Sequence, residues 1–279
     1  VLLKPSSKEP VFAGLLASTI PEPLRGSVRV LEPDVWSDSI KAAVIQAPVC
    51  LAYGDDQIID AVSRMRDGCP TLVGGHRESL VVVFDSAMRQ SGLGRLSAAI
   101  ADDVAIYDQG GCLSPTVVLA EEGGEVTPAE LANAIQKALM RGVTRLPPGR
   151  LGIEAAAAVR TTVEMVRARA MRIPGPESGK DLFPFVAVLR EPPVIVGQLF
   201  RTVQVVPFRG RLDAAEWLPH LAGKVQGMAV AGDRSRAQAW IREEPSLRPC
   251  RVCGAGRLQR PPAIWSENGI VVTRSLAHL

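Results

Sequence analysis

No stretch of the sequence holds the roughly 18–20 consecutive apolar residues with which a helix crosses a bilayer, so no membrane span is expected. Neither sign of charge dominates. Thirty-two Lys and Arg stand against 29 Asp and Glu, a net charge of +3, which is too even to suggest nucleic acid as a partner. Cysteine is scarce and odd in number: five, irregularly spaced, which excludes a disulfide framework. No charged segment followed by a cleavage site opens the chain, and a reducing, cytoplasmic setting is expected. Internal repeats and low-complexity tracts are absent too. Nor does Met come first. Val1-Leu2-Leu3-Lys4-Pro5 reads as the end of a buried strand met in mid-fold, so an N-terminally incomplete chain is expected.

What is present suits a folded protein. The 279 residues are 47% hydrophobic and 22% charged, enough for one large domain or two smaller ones. Short apolar runs alternate with amphipathic stretches through the first half, the pattern of βα units on a parallel sheet. Strands are expected at Val1–Lys4, Val49–Tyr53, Thr71–Val73 and Leu80–Phe84. Between them the spacing predicts helices over Glu9–Thr19, ended by the Pro21-Glu22-Pro23 breaker, over Ser39–Gln46, and from Asp55-Asp56 to Arg66. A helix over Gly92–Tyr107 leads into a loop made by two glycines and a proline, then strand Thr116–Ala120. Thr127-Pro128-Ala129-Glu130 is a capping box that opens a helix to Met140. Further on, a helix over Gly152–Met171 is followed by strands at Phe185–Leu189, Val194–Val196, Val203–Val206 and Gln226–Ala231. Helices are expected at Leu212–Leu218 and Ser235–Glu244, and an irregular tail from Pro249. Arg160, Arg167, Arg169 and Arg172 recur at helical spacing among alanines, which describes a solvated helix face.

One cysteine sits in a setting suited to chemistry. Cys112 follows Gly110-Gly111 at a helix-to-strand junction, where glycine leaves backbone amides free to favour a thiolate or hold an oxyanion. Thiolate also displaces thiolate from a thioester at little thermodynamic cost. Free cysteine is equally often a buried packing residue, so the residues alone leave both roles open.

The segment Asp108-Gln109-Gly110-Gly111-Cys112-Leu113-Ser114-Pro115 resembles the nucleophile loop of the long-chain acyl-CoA reductases, the LuxC-like branch of the aldehyde dehydrogenase superfamily. Val1-Leu2-Leu3-Lys4-Pro5-Ser6 is similar to the superfamily's Lys-Pro-Ser strand end. Gly256-Arg257-Leu258-Gln259-Arg260-Pro261-Pro262 with Trp265 resembles the C-terminal signature of the same reductases. The three segments follow in the family's order. The resemblance implies an α/β, aldehyde-dehydrogenase-like fold, with part of a cofactor-binding domain over residues 1–84 and a catalytic domain over 85–279. It implies an oxidoreductase that reduces a fatty acyl-CoA to the aldehyde with NADPH, or NADH, through a thioester on Cys112. An acylating or ordinary aldehyde dehydrogenase using the same cysteine, or a non-catalytic fragment, are the alternatives. A homo-oligomer is expected by the same analogy.

The resemblance also suggests cofactor contacts. Lys4, with Ser6 beside it, would meet the adenosine ribose or its 2′-phosphate. Gly54 would open a helix N-terminus toward the pyrophosphate, although Asp55 and Asp56 there suit a helix cap better than a phosphate site. The superfamily's ribose-binding glutamate is missing from the Gly197-Gln198-Leu199-Phe200-Arg201-Thr202 segment, where Gln198 or Thr202 would replace it or else serve as core or loop residues. Glu78 precedes Cys112 by 34 residues, similar to the spacing of the superfamily's catalytic Glu and Cys, though it stands almost on a strand. His76, in the same turn, suits cofactor binding or proton relay. A reductase that expels CoA needs no water-activating base. Cys250-Arg251-Val252-Cys253 is half a zinc site, and His220 and His278 are too isolated to complete it, so no metal is expected. The superfamily's oxyanion-hole Asn would lie before Val1; one such donor is worth about 10²–10³ in rate.

Overall fold

A computed structural model describes residues 1–6, 9–32, 37–54, 56–66, 71–74, 77–174, 183–190, 192–193, 199–210, 224–243, 251–262 and 265. It divides into two compact units, Val1–Gly75 and His76–Leu279.

The first unit holds β1 (Leu2–Leu3), α1 (Phe12–Ser18), α2 (Glu22–Arg25), β2 (Arg29–Val30), α3 (Asp38–Gln46), β3 (Cys50–Tyr53), α4 (Asp56–Met65) and β4 (Thr71–Gly74). β1 pairs parallel with β2 and β3 parallel with β4, so both pairs are βαβ connections. The Pro-Glu-Pro breaker is itself the short helix α2. Pro23 is tolerated in its first turn because the amide it lacks would have had no helical partner. Buried Arg66 closes one connection: its guanidinium donates to the carbonyls of Val44 and Ala47 (2.9 Å for Ala47) at the end of α3, and to Thr71 Oγ1 at 3.1 Å on β4. Carbonyls that a helix terminus leaves unpaired are satisfied this way.

Among the described residues, the second unit is one seven-stranded sheet between two helical layers. In chain order it runs β5 (Glu78–Val83), α5 (Gln90–Ala105), β6 (Pro115–Glu121), α6 (Pro128–Gly142), α7 (Ile153–Arg169), β7 (Ala170–Arg172), β8 (Phe185–Leu189), β9 (Thr202–Phe208), β10 (Val225–Ala231), α8 (Arg234–Glu243) and β11 (Arg251–Gly254). The strand order is β11-β10-β5-β6-β9-β8-β7, parallel throughout except for β7. Strands covered on both faces read as unbroken apolar runs, as Leu80–Phe84 does. Leu80, Val82, Leu119, Phe208 and Met228 pack in one layer with Val159, Val163 and Val166 of α7 and Trp240 of α8. Val81, Val83, Val118 and Ala229 face Ile100 and Val104 of α5 and Leu131 and Ile135 of α6. The capping box is formed, with Thr127 Oγ1 taking the Glu130 amide and Glu130 the Thr127 amide.

Several expectations change. Residues 78–83, grouped by sequence with the first 84, form a central strand of the second unit, between β6 and β10. The helix expected to reach Met171 stops at Arg169, and residues 170–172 become an antiparallel edge strand. The tail read as irregular contains β11, paired among the described residues with β10 alone. β9 extends through Pro207, which is in register with Ala120 of β6 and lies past the last β8 pair, Val188 with Val205. Of the four spaced arginines, three are exposed, while Arg167 lies over the Phe185 ring at 5.1 Å. The strand expected at Val194–Val196 and the helix at Leu212–Leu218 fall outside the described residues. Among the described residues no helix is long and apolar enough to cross a membrane.

Candidate active site

The loop that carries Cys112 is held under backbone strain. After α5 the chain turns through Ile106–Gln109, where Tyr107, Asp108 and Gln109 have φ of 59°, 50° and 64°. Left-handed conformations cost non-glycine residues about 1–2 kcal/mol each, so neighbouring contacts must impose them. Those contacts are specific. Asp108 Oδ1 pairs with Arg201 Nε at 2.5 Å and its Oδ2 accepts the Gly149 amide at 2.8 Å. Gln109 Nε2 donates to the carbonyls of Thr202 (2.6 Å) and Pro115 (3.0 Å), and Gln109 Oε1 accepts the Thr202 amide at 2.6 Å.

Gly110 does not serve as the sequence suggests. Gly110 has φ −72°, and its amide is engaged, donating to Tyr107 O at 2.7 Å. A Cβ there would stand 3.0 Å from that same carbonyl, so glycine is needed for space.

Cys112 is exposed, and the next three residues, Leu113, Ser114 and Pro115, are buried. Its carbonyl accepts a hydrogen bond from Ser79 Oγ at 2.7 Å. Ser79 is buried on β5, and Gly227 of β10 leaves room for it: a Cβ at 227 would come within 2.9 Å of Ser79 Oγ and 3.1 Å of Leu113 Cδ2. Parallel strands β5, β6, β9 and β10 all begin at this edge of the sheet, so the thiol stands at their amino ends. Cys112 is the exposed one of three described thiols. Burial raises the pKa of Cys50 and Cys253, which keeps both protonated.

Glu78 opens β5 one residue before Ser79. It is half-buried, and its Oε2 accepts from Thr116 Oγ1 at 2.8 Å. Two β-bulges flank this position: β6 gains Thr116 opposite Ser79–Leu80, and β10 gains Gln226 opposite Glu78–Ser79. Gln226 is 1% exposed, and neither of its amide atoms has a hydrogen-bond partner among the described residues. Lys4 and Ser6 follow β1 in the first unit, with Lys4 Nζ 3.5 Å from the Pro5 carbonyl and Ser6 bridged to Glu9. Gly54 follows β3, where a Cβ would meet Ile58 Cβ at 3.0 Å. His76 and Gln198 lie outside the described residues, as do Cys250, His220 and His278. Sequence reasoning missed Ser79, Asp103, Arg201 and Gln226. Only Arg201, within the superfamily's expected ribose segment, carried any local signal.

The fold is that of the aldehyde dehydrogenases. An oxidoreductase from Marinobacter aquaeolei matches with a TM-score of 0.67 at 15% identity, over 94% of this chain and 56% of that one. A gamma-glutamyl-gamma-aminobutyraldehyde dehydrogenase from Burkholderia cenocepacia J2315 gives 0.64 at 16% identity, over 91% and 54%. A Mycobacterium tuberculosis aldehyde dehydrogenase complexed with NAD+ gives 0.62 at 16%, over 91% and 55%. This chain therefore spans about half the length of these structures. Its sequence matches the acyl-CoA reductase (LuxC) family over residues 1–279, and the chain belongs to that family of oxidoreductases. No curated protein matches it.

Proposed function

We propose that this chain carries the acyl-transfer centre of an oxidoreductase that reduces a fatty acyl-CoA to the aldehyde, with Cys112 as the nucleophile. The supporting observation is an exposed thiol on a loop that is hydrogen-bonded on both sides and buried on the side that follows it. That arrangement fixes the sulfur while leaving it accessible, which is what proximity catalysis requires.

In the proposed acylation, the Cys112 thiolate adds to the thioester carbonyl and a new C–S bond forms. The bond to the CoA sulfur breaks, and CoA leaves with that electron pair and takes a proton from solvent. Ser79 holds the Cys112 carbonyl so that the loop does not recoil as the bond forms. Glu78, on the same strand end, is the proposed acid–base group, and His76 its proposed companion.

The residues of the first unit fit a nicotinamide cofactor. Lys4 with Ser6, and Gly54, each stand at the carboxyl end of a parallel strand, where open α/β sheets bind ligands. Lys4 and Ser6 would hold the adenosine ribose or its phosphate. Gly54, where close packing on Ile58 excludes a side chain, would leave the α4 N-terminus open to the pyrophosphate. NADPH or NADH bound there supplies the two electrons that convert the thioester to the aldehyde.

Intact-mass analysis after incubation with palmitoyl-CoA tests the reading. One acyl group on Cys112, one equivalent of free CoA and no adduct on Cys112→Ser support it, as does aldehyde release when NADPH or NADH is added. A protein whose Cys112 reacts with iodoacetamide yet takes no acyl group from acyl-CoA would show that the reading is wrong.

A further inference from the structure

The C-terminal turn after β11 contacts the Cys112 loop at both ends. Gln259 Nε2 has two hydrogens and uses both: one goes to the Asp103 carbonyl at 3.2 Å, the other to Ser114 Oγ at 2.7 Å. Asp103 lies in the last turn of α5, where the chain enters the loop, and Ser114 lies where it leaves. A single carboxamide thus spans the entry and exit of the segment that presents the thiol. A Cβ built on Gly111 would stand 3.9 Å from Gln259 Oε1, so the side chain runs alongside the residue before Cys112.

The turn is itself held firmly. The two oxygens of the buried Asp103 carboxylate accept the Gly256 amide at 2.7 Å and the Leu258 amide at 3.0 Å. Arg251 Nη2 donates to the carbonyls of Arg257 and Arg260 at 2.7 and 2.9 Å, closing the turn from the other side. Leu258 is fully buried, and a Cβ on Gly227 would lie 2.8 Å from Leu258 Cδ2 and 3.1 Å from Leu113 Cδ2, so both leucines converge over one glycine. Leu113 follows Cys112 directly. The turn therefore touches the loop at 113 through packing and at 114 through a hydrogen bond.

We propose that Gln259 is a positioning residue for Cys112: its carboxamide, docked through Asp103, acts as a latch that sets the thiol loop in its reactive geometry. The inference rests on the reading of Cys112 as nucleophile only for the identity of the electrophile, because a latch on the loop governs the thiol toward any electrophile. Displacement of a reacting atom by about 1 Å costs on the order of 10²-fold in rate.

The test measures Cys112 in the full chain with iodoacetamide over pH 6–10, and with palmitoyl-CoA, for wild type, Gln259→Leu, Ser114→Ala and the double variant. Expected are a 10–10²-fold loss of acylation rate in each single variant, a shifted midpoint in the pH profile of alkylation, and a double variant no slower than the worse single. Ser114→Ala deletes only a hydroxyl, so it serves if Gln259→Leu fails to fold. Folded variants with wild-type alkylation rates and midpoints, or losses that multiply in the double variant, would overturn the latch. If palmitoyl-CoA modifies no variant, wild type included, the acyl-CoA reading fails, and the iodoacetamide profiles still decide the latch.

Discussion

Gln109 and Thr202, 93 residues apart, exchange two hydrogen bonds of 2.6 Å, with the side-chain amide of one occupying the place that a neighbouring strand would take beside the other. The carboxamide thereby extends the edge of β9 and pins a left-handed residue of the thiol loop. Gln109→Glu keeps the shape but turns two donated hydrogen bonds, to Thr202 and Pro115, into carboxylate–carbonyl contacts. A loss of roughly 1–3 kcal/mol is expected, measured by urea unfolding, together with slower alkylation of Cys112.

The ion pair next to it carries a different penalty. The Arg201 side chain is 3% exposed against 22% for Asp108. Asp108→Ala would leave a buried guanidinium without its counter-charge, a change that typically costs about 3–5 kcal/mol. Arg201→Met in the same protein removes the stranded charge, so the double variant is expected to recover most of the loss. Thermal unfolding of the two single variants and the double variant reads this directly. A double variant as unstable as Asp108→Ala would show that the Gly149 contact, not the charge, sets the cost.

These contacts mark where sequence reading succeeds and where it stops. Leu80–Phe84 and Phe185–Leu189 were legible because strands buried on both faces leave uninterrupted apolar runs. The capping box was legible because its partners lie three residues apart. β7 and β11 were not: among the described residues each pairs on one side only, so neither needs an apolar run, and β11 carries Arg251 and exposed Val252. The Cys112 segment stood out as a motif, but the work of Asp108, Gln109 and Ser114 did not. Their partners, Arg201, Thr202 and Gln259, are 93 to 145 residues away. Ser79 has no local signature at all, being a serine at the start of a strand.

Asp103 gives the site a pH dependence. Burial pushes its carboxyl from 3.8 up to about 6, against the backbone amides of Gly256, Gln259 and Leu258, which favour the charged form. The folded protein thus holds this proton more tightly than the unfolded chain does. The resulting stabilisation is fully present below about pH 4 and is lost as pH rises through about 6. Its size is on the order of 2–3 kcal/mol. Asp103→Asn keeps an oxygen for one of the two amides and cannot titrate. Its unfolding free energy is therefore expected to lack the decline between pH 4 and 7, as measured by urea unfolding at intervals across that range.

Gln226 poses the sharpest contrast between stability and function. It is the extra residue where β10 bulges against Glu78 and Ser79, and its buried amide lacks hydrogen-bond partners among the described residues. An unsatisfied buried polar group costs about 1–3 kcal/mol, so an apolar side chain of similar shape should stabilise the fold. Gln226→Met is expected to raise the unfolding free energy by about 1–2 kcal/mol, a rise in Tm of roughly 2–8 °C for a unit of this size. Bulges concentrate beside active sites, where they redirect a side chain at some cost in pairing. This one adjoins the strand end that grips Cys112, so the same substitution is expected to slow acylation even as it stabilises. Calorimetry and the acylation rate, measured on one preparation, separate the cases. A lower Tm would mean that the amide is satisfied by buried water and belongs to the architecture, while a higher Tm with an unchanged rate would remove Gln226 from the site.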